Sequence, residues 1–274
     1  MISRIAVVGL LVSVLGVGCS MDNPTQPSND TNLTETNNDA LLQQEDAVSP
    51  DVLAKWRHRQ PMKFEVRIEN VGGPETQPIP GGGGVPVPLS PGVWTVTHGR
   101  NPIFKPGSYD RGLGLEHIAE DGNPTELGAN LDGKYGIKSS GIFNTPEGAA
   151  GPQPAFPGQS FVFEVEAKPG DYLSIATMFA QSNDLFYGPG FFGIPFFTFW
   201  GQPRSGDFTN RLYLWDAGTE VNQVPGIGPD QAPRQAAPNT GASEHKRIWF
   251  VNDGYTYPDK HDVIKITITP MGSV

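Results

Sequence analysis

Cysteine is almost missing: 274 residues contain one, Cys19, so no disulfide can form within the chain and stability must come from buried apolar surface. Basic residues are also scarce. Nineteen Lys and Arg against 29 Asp and Glu leave a net charge of −10, which excludes general nucleic-acid binding, because that needs clustered cations to neutralise phosphates. The histidines His58, His98, His117, His245 and His261 lack the paired spacing of a zinc site. No Gly-x-Ser-x-Gly nucleophile elbow occurs. The run Gly81 to Gly84 lacks the lysine and the helix start of a phosphate-binding loop. Long helical periodicities are few. What is plentiful is glycine (34) and proline (27), the composition of an all-β domain with many turns.

The first residues read as an export segment. Arg4 precedes an apolar run over 5–17, too short to span a bilayer as a helix, and small residues follow it. Leu15-Gly16-Val17-Gly18-Cys19 resembles the bacterial lipoprotein processing site, with Gly16 standing where a larger aliphatic residue is usual. That resemblance implies a signal peptide over 1–18, lipidation of Cys19 as the mature N-terminus and, through Ser20, sorting to the outer membrane. The alternative is ordinary cleavage nearby and a secreted protein with a free thiol. Residues 20–50 are Asn, Asp, Thr, Ser, Gln and Glu with almost nothing apolar to bury. Such composition does not offset its ordering entropy, so a disordered tether is expected over 19–60 and a folded domain over 61–274.

Within the domain, Phe64, Val66 and Ile68 alternate with Glu65, Arg67 and Glu69, which predicts a strand over 63–71 with one buried face. A Gly/Pro-rich stretch over 74–91 predicts a long mobile loop. Further strands are expected over 93–97, 161–166, 172–180, 211–215, 247–251 and 263–269. The 172–180 run is apolar on both parities, as a central strand covered on both faces would be. Pro169-Gly170-Asp171 before it suggests that 161–166 and 172–180 form a hairpin. Helical periodicity is confined to 112–131, broken at Asn123-Pro124-Thr125, with Thr125 placed to cap a second short helix. Together these predict an antiparallel sandwich with a short helical insertion. The aromatic run over 191–200 reads either as a buried hairpin strand or as an exposed patch for a partner or glycan.

Two strand ends carry more acid than packing requires. One is Ser182-Asn183-Asp184, after the central strand. The other is Trp215-Asp216-Ala217-Gly218-Thr219-Glu220, where Asp216 continues the parity of Leu212 and Leu214 and a turn at Ala217-Gly218 could bring Glu220 back beside it. Carboxylates grouped on loops at one end of a sandwich suit calcium, which takes six to eight oxygen ligands. These two segments, with Phe64-Glu65-Val66, the Gly-Leu-Gly-Leu-Glu-His-Ile-Ala-Glu-Asp-Gly stretch from Gly112 and Gly141-Ile142-Phe143, resemble the spondin N-terminal domain over 63–269. The resemblance implies a C2-like β-sandwich and a calcium ion held by Asp184, Asp216 and Glu220. Animal members have Asp at the last position and carry cysteines that this chain lacks.

By analogy with those members, the expected function is non-enzymatic recognition or adhesion at the cell envelope. The expected partner is a cell-surface or matrix protein or a glycan, with the membrane reached only through the lipid. An envelope polysaccharide hydrolase would need an acid–base pair among the same carboxylates, and a purely structural envelope protein would need calcium only to hold loops.

Overall fold

The computed structural model describes residues 60–273. The expected signal peptide, Cys19 and nearly all of the expected tether lie outside the described residues. The strands are β1 (Met62–Asn70), β2 (Gln77–Pro78), β3 (Gly84–Val85) and β4 (Leu89–Thr97). After them come helices α1 (Leu115–Asp121) and α2 (Thr125–Leu131). The chain continues with β5 (Ile137–Phe143), β6 (Ser160–Ala167), β7 (Tyr172–Phe179), β8 (Leu185–Pro189) and β9 (Ile194–Pro195). It ends with β10 (Gly206–Asp207), β11 (Leu212–Asp216), β12 (Trp249–Phe250) and β13 (Ile264–Ser273). They build an antiparallel β-sandwich with a short helical insertion. One sheet runs β10-β13-β1-β6, the other β12-β11-β8-β7-β4-β5 with β9 beside β7.

Period-two alternation sets the interior. Phe64, Val66 and Ile68 of β1 and Ile266 and Ile268 of β13 are fully buried against Leu173, Ile175 and Phe179 of β7 and Leu185 and Tyr187 of β8. The opposite parity of the larger sheet is buried too. Val93, Ala176, Phe186 and Trp215 pack under Ile103, Phe104, Leu115, Ile118, Leu127 and Leu131, so the helical insertion roofs the sheet with a second core. This is why β7 is apolar on both parities. The expected hairpin of β6 and β7 does not form: β6 pairs with β1 and β7 with β4 and β8, so the turn after Ala167 crosses between sheets. A strand apolar on both faces belongs in the middle of the doubly covered sheet, where both its edges are taken. Two other expectations need correction. Asn123 Oδ1, not the Thr125 side chain, accepts a backbone N–H at the start of α2 (3.1 Å). The stretch over 74–91 holds the small β2–β3 ladder and the first residues of β4.

The strands define two poles. At one, Met62 lies opposite Ala167 and Ser273, the turn over 168–171 leads into Tyr172, and Tyr172 pairs with Thr97. At the other lie Asn70, Ser160, Leu185 and Asp216. Eight residues of β7 separate them, roughly 25 Å at strand rise. The first is the chain-start pole; the second, where β7 turns into β8 and β11 ends, is the loop pole. Asn70 ties the loop pole together: its side-chain amide donates to the Val87 and Ala155 carbonyls (2.8 Å each) and its Oδ1 accepts from Gly72 N (3.0 Å).

Candidate metal centre

Ser182 closes the turn after β7, its hydroxyl donating to the Phe179 carbonyl (2.7 Å) and accepting from Leu185 N (3.1 Å). Asp184 is thereby held fully buried at the start of β8. Its Oδ2 accepts from the backbone N–H groups of Thr219 (2.8 Å) and Glu220 (3.1 Å) and from the Thr219 hydroxyl (3.3 Å). Asp216 ends β11 and turns the chain: Oδ1 accepts from Gly218 N (2.8 Å) and Oδ2 from the Asn222 amide (2.9 Å). Gly218 has φ +72°, and a Cβ there would sit 2.7 Å from the Lys246 carbonyl oxygen, so no other residue fits without strain. That close approach belongs to a returning segment. Val221 N donates to Ala242 O, Glu244 N to Thr219 O and Lys246 N to Gly218 O (2.7–2.9 Å), and Glu220 bridges Ser243.

This pairing decides which carboxylates meet. One oxygen each from Asp184, Asp216 and Glu244 lie within 4.8 Å of one another. Glu220 is not one of the three. Its carboxylate accepts from Gly241 N (2.9 Å) and from the Asn183 amide (3.3 Å) and so holds the returning loop. With Glu220 opposite Ser243, Thr219 falls opposite Glu244, and residues opposite each other share a face. Thr219 and Glu244 therefore look toward Asp184, while the Glu220 side chain leaves on the other face. The spondin resemblance implies Glu220 as the third ligand; the structure instead puts Glu244 beside the two aspartates.

The cluster is short of partners. Asp184 Oδ1, Glu244 Oε1 and Asn222 Oδ1 are buried with no hydrogen bond among the described residues, and such orphaned acceptors cost about 1–3 kcal/mol each, more when charged. Burial and then the Asp216 charge push the Asp184 carboxyl above the usual carboxylate range, and burial does the same to Asp216. Lys246 supplies the one close ammonium described at the cluster, 2.6 Å from Glu244 Oε2. That hydrogen bond, with the charges of Glu244, Asp216 and Asp184, holds the lysine above its ordinary pKa. Two ligands of one calcium ion, each 2.3–2.6 Å away, can lie at most about 5 Å apart; the three oxygens meet that limit. The donors are all oxygens, with no imidazole or thiolate, which suits a hard cation. No protein-family model matches this chain, and no curated protein matches it in sequence.

Beside the cluster opens a cleft of about 410 Å³ lined by Asp216, Asn222, Trp249, Asn252, Asp253 and Tyr255, among others. Trp249 and Tyr255 are substantially exposed there. Glu120 of α1 lies on the other flank, buried, with neither carboxyl oxygen in a hydrogen bond of good geometry. Burial pushes its pKa up to about 8, opposed by the Thr219 hydroxyl and reinforced by the charges of Glu220, Glu116 and Asp184. Between 4.5, its ordinary value, and about 8 the folded protein therefore holds a proton that the unfolded chain releases. More protons bound in the native state means that stability falls as pH rises. In metal-free buffer the melting temperature is expected to decline from pH 5 to pH 8, and Glu120→Gln to flatten that decline. A melting temperature that climbs over this range in the wild type would contradict the assignment.

Proposed function

We propose that the chain is a non-enzymatic, calcium-binding recognition or adhesion module of the bacterial envelope, exported and anchored through a lipid on Cys19. One observation carries this reading: Asp184, Asp216 and Glu244 converge at the loop pole, and a buried oxygen each of Asp184 and Glu244 has no hydrogen-bond partner among the described residues. A cation there relieves both the unpaired acceptors and the mutual repulsion of the carboxylates, and Asn222, whose amide donates to Asp216, carries a further unpartnered side-chain oxygen. The resemblance to the spondin N-terminal domain supports calcium as the ion and a surface or matrix partner as its purpose. Asp216 and Asn222 line both the cluster and the open cleft, so filling the ion site sets the shape of the surface offered to a ligand. An extracellular site of this kind works at an affinity of about 10⁻⁴–10⁻³ M.

The test is binding of the full chain to arrays of glycans and envelope or matrix proteins, with calcium and with chelator. Capture of a ligand class that chelation abolishes is the expected result. Ligand capture indifferent to calcium, or turnover of a labelled polysaccharide, would overturn the reading. Intact mass of the protein recovered from the cell, with Cys19→Ser as control, reads the anchor separately: acyl mass on the wild type only is expected.

A further inference from the structure

The aromatic run over 191–200 is split by the structure. Ile194, Phe196 and Phe197 enter the core, Phe196 and Phe197 against Phe64 at ring-centroid distances of 4.9 and 5.3 Å. Phe199 and Trp200 do not. They are 92% and 81% exposed at the tip of a tight hairpin, edge to face with each other at 5.2 Å. The hairpin is closed by Thr198 N to Gln202 O and Arg204 N to Phe196 O (2.8 Å each). Its direction follows from its base. β9 runs antiparallel to β7 with Pro195 opposite Tyr172, and Phe196 N donates to the Asp171 carbonyl, so the chain leaves the sheet at the chain-start pole. Three further exposed apolar side chains lie toward this pole. Phe192 precedes β9, Tyr135 precedes β5, and Met271 lies near the end of β13. Pro61, where the folded domain begins, lines a hollow there with Lys138, Lys168 and Asp171.

We propose that the chain-start pole rests on the lipid bilayer, with Phe199 and Trp200 inserted at the headgroup level; this rests on the envelope-anchored reading above. A convex tip of two aromatic rings offers no pocket to a partner and suits a soft interface, and indole is favoured where one edge meets water and the rest meets hydrocarbon. No helix among the described residues is long and apolar enough to cross a membrane; the contact proposed is a surface one. The occupant is indicated by where the chain begins: residues 1–59, including Cys19, lead into the domain at Pro61, at the pole that carries the tip. The opposite pole holds Asp184, Asp216 and Glu244 with Glu120 and Glu220 close by. A separation of roughly 25 Å is two to three screening lengths at physiological salt, so these acids do not repel an anionic leaflet. The same geometry turns the ion and its cleft outward, away from the membrane.

The test uses the full chain as recovered from the cell, mixed with vesicles of phosphatidylethanolamine and phosphatidylglycerol carrying brominated acyl chains, which quench tryptophan on contact. In a Trp56→Phe background, which removes the tryptophan of the leading segment, quenching is expected, lost for the most part when Trp200→Phe is added, and unchanged when Trp249→Phe is added at the loop pole. Both added variants are expected to melt with that background. Absence of quenching, equal quenching with and without Trp200→Phe, or a vesicle-independent dimer dissolved by Phe199→Ser/Trp200→Ser would overturn the inference. Acyl mass on Cys19 is read from the same sample, so the two ideas fail separately. An acylated chain without Trp200 quenching sinks the membrane pole, and an unacylated chain with it sinks only the anchor.

Discussion

Calcium added to the metal-free protein is expected to raise its melting temperature, and Glu244→Gln to remove most of that rise while Glu220→Gln leaves it. An ion that binds the folded state alone, at a hundredfold excess over Kd, stabilises by about 2.7 kcal/mol, or roughly 5–11 °C for a domain of this size. The two glutamates are close in sequence character and opposite in placement. Glu244 offers a buried, unpartnered oxygen to the Asp184–Asp216 pair, whereas Glu220 spends its carboxylate on Gly241 N and the Asn183 amide. Glu220→Gln is expected to lower stability modestly with or without calcium, because it weakens a loop bond. Calorimetric titration of both variants checks this. A lost calcium response in Glu220→Gln with an intact one in Glu244→Gln would return the third ligand to the position suggested by the spondin resemblance.

Trp215→Ala is expected to cost about 3–5 kcal/mol, the usual penalty for emptying a large buried aromatic site. The indole is almost fully buried in the second core, T-shaped to Phe104 (5.2 Å) and stacked on Phe250 (4.5 Å), and its N–H donates to the Gly188 carbonyl (3.0 Å). Truncation therefore leaves a cavity, removes the hydrogen bond to Gly188, and loosens the Phe250 strand that lines the cleft. Because Trp215 immediately precedes Asp216, calcium affinity should fall as well. Trp215→Phe keeps ring packing, loses the hydrogen bond, and should cost less than half as much. Urea unfolding of the three proteins in chelator, then in calcium, separates the packing loss from the site loss. A loss below about 1.5 kcal/mol for Trp215→Ala would show that the helical roof collapses onto the gap.

Much of the fold is legible in the chain itself, because strand burial is a local signal. The alternation of Phe64, Val66 and Ile68 marks β1, and the double parity of 172–180 marks a strand covered on both faces. Asp216 is legible too, since it continues the parity of Leu212 and Leu214, and Asp184 stands out as an acid just after the central strand. What lies on the far side of a turn is not written locally. The turn after Ala167 can close a hairpin or cross to the other sheet, and the choice depends on β4 and β8 competing for both edges of β7. The division of the aromatic run into core residues and an exposed tip depends on the hairpin that forms when Phe197 bridges Pro203. Glu244 carries no signal of its own, standing in Ser243-Glu244-His245 after a long Gly/Pro-rich loop. It joins the aspartates because the returning segment pairs with Gly218–Val221 in a register that puts Glu244 opposite Thr219 and Ser243 opposite Glu220. Composition and parity alone determined an acidic, disulfide-free β-sandwich with carboxylates at its strand ends. Only the tertiary pairing decided which carboxylates share a face, because side chains alternate along a strand and one residue of register would put Ser243 or His245 opposite Thr219 in place of Glu244.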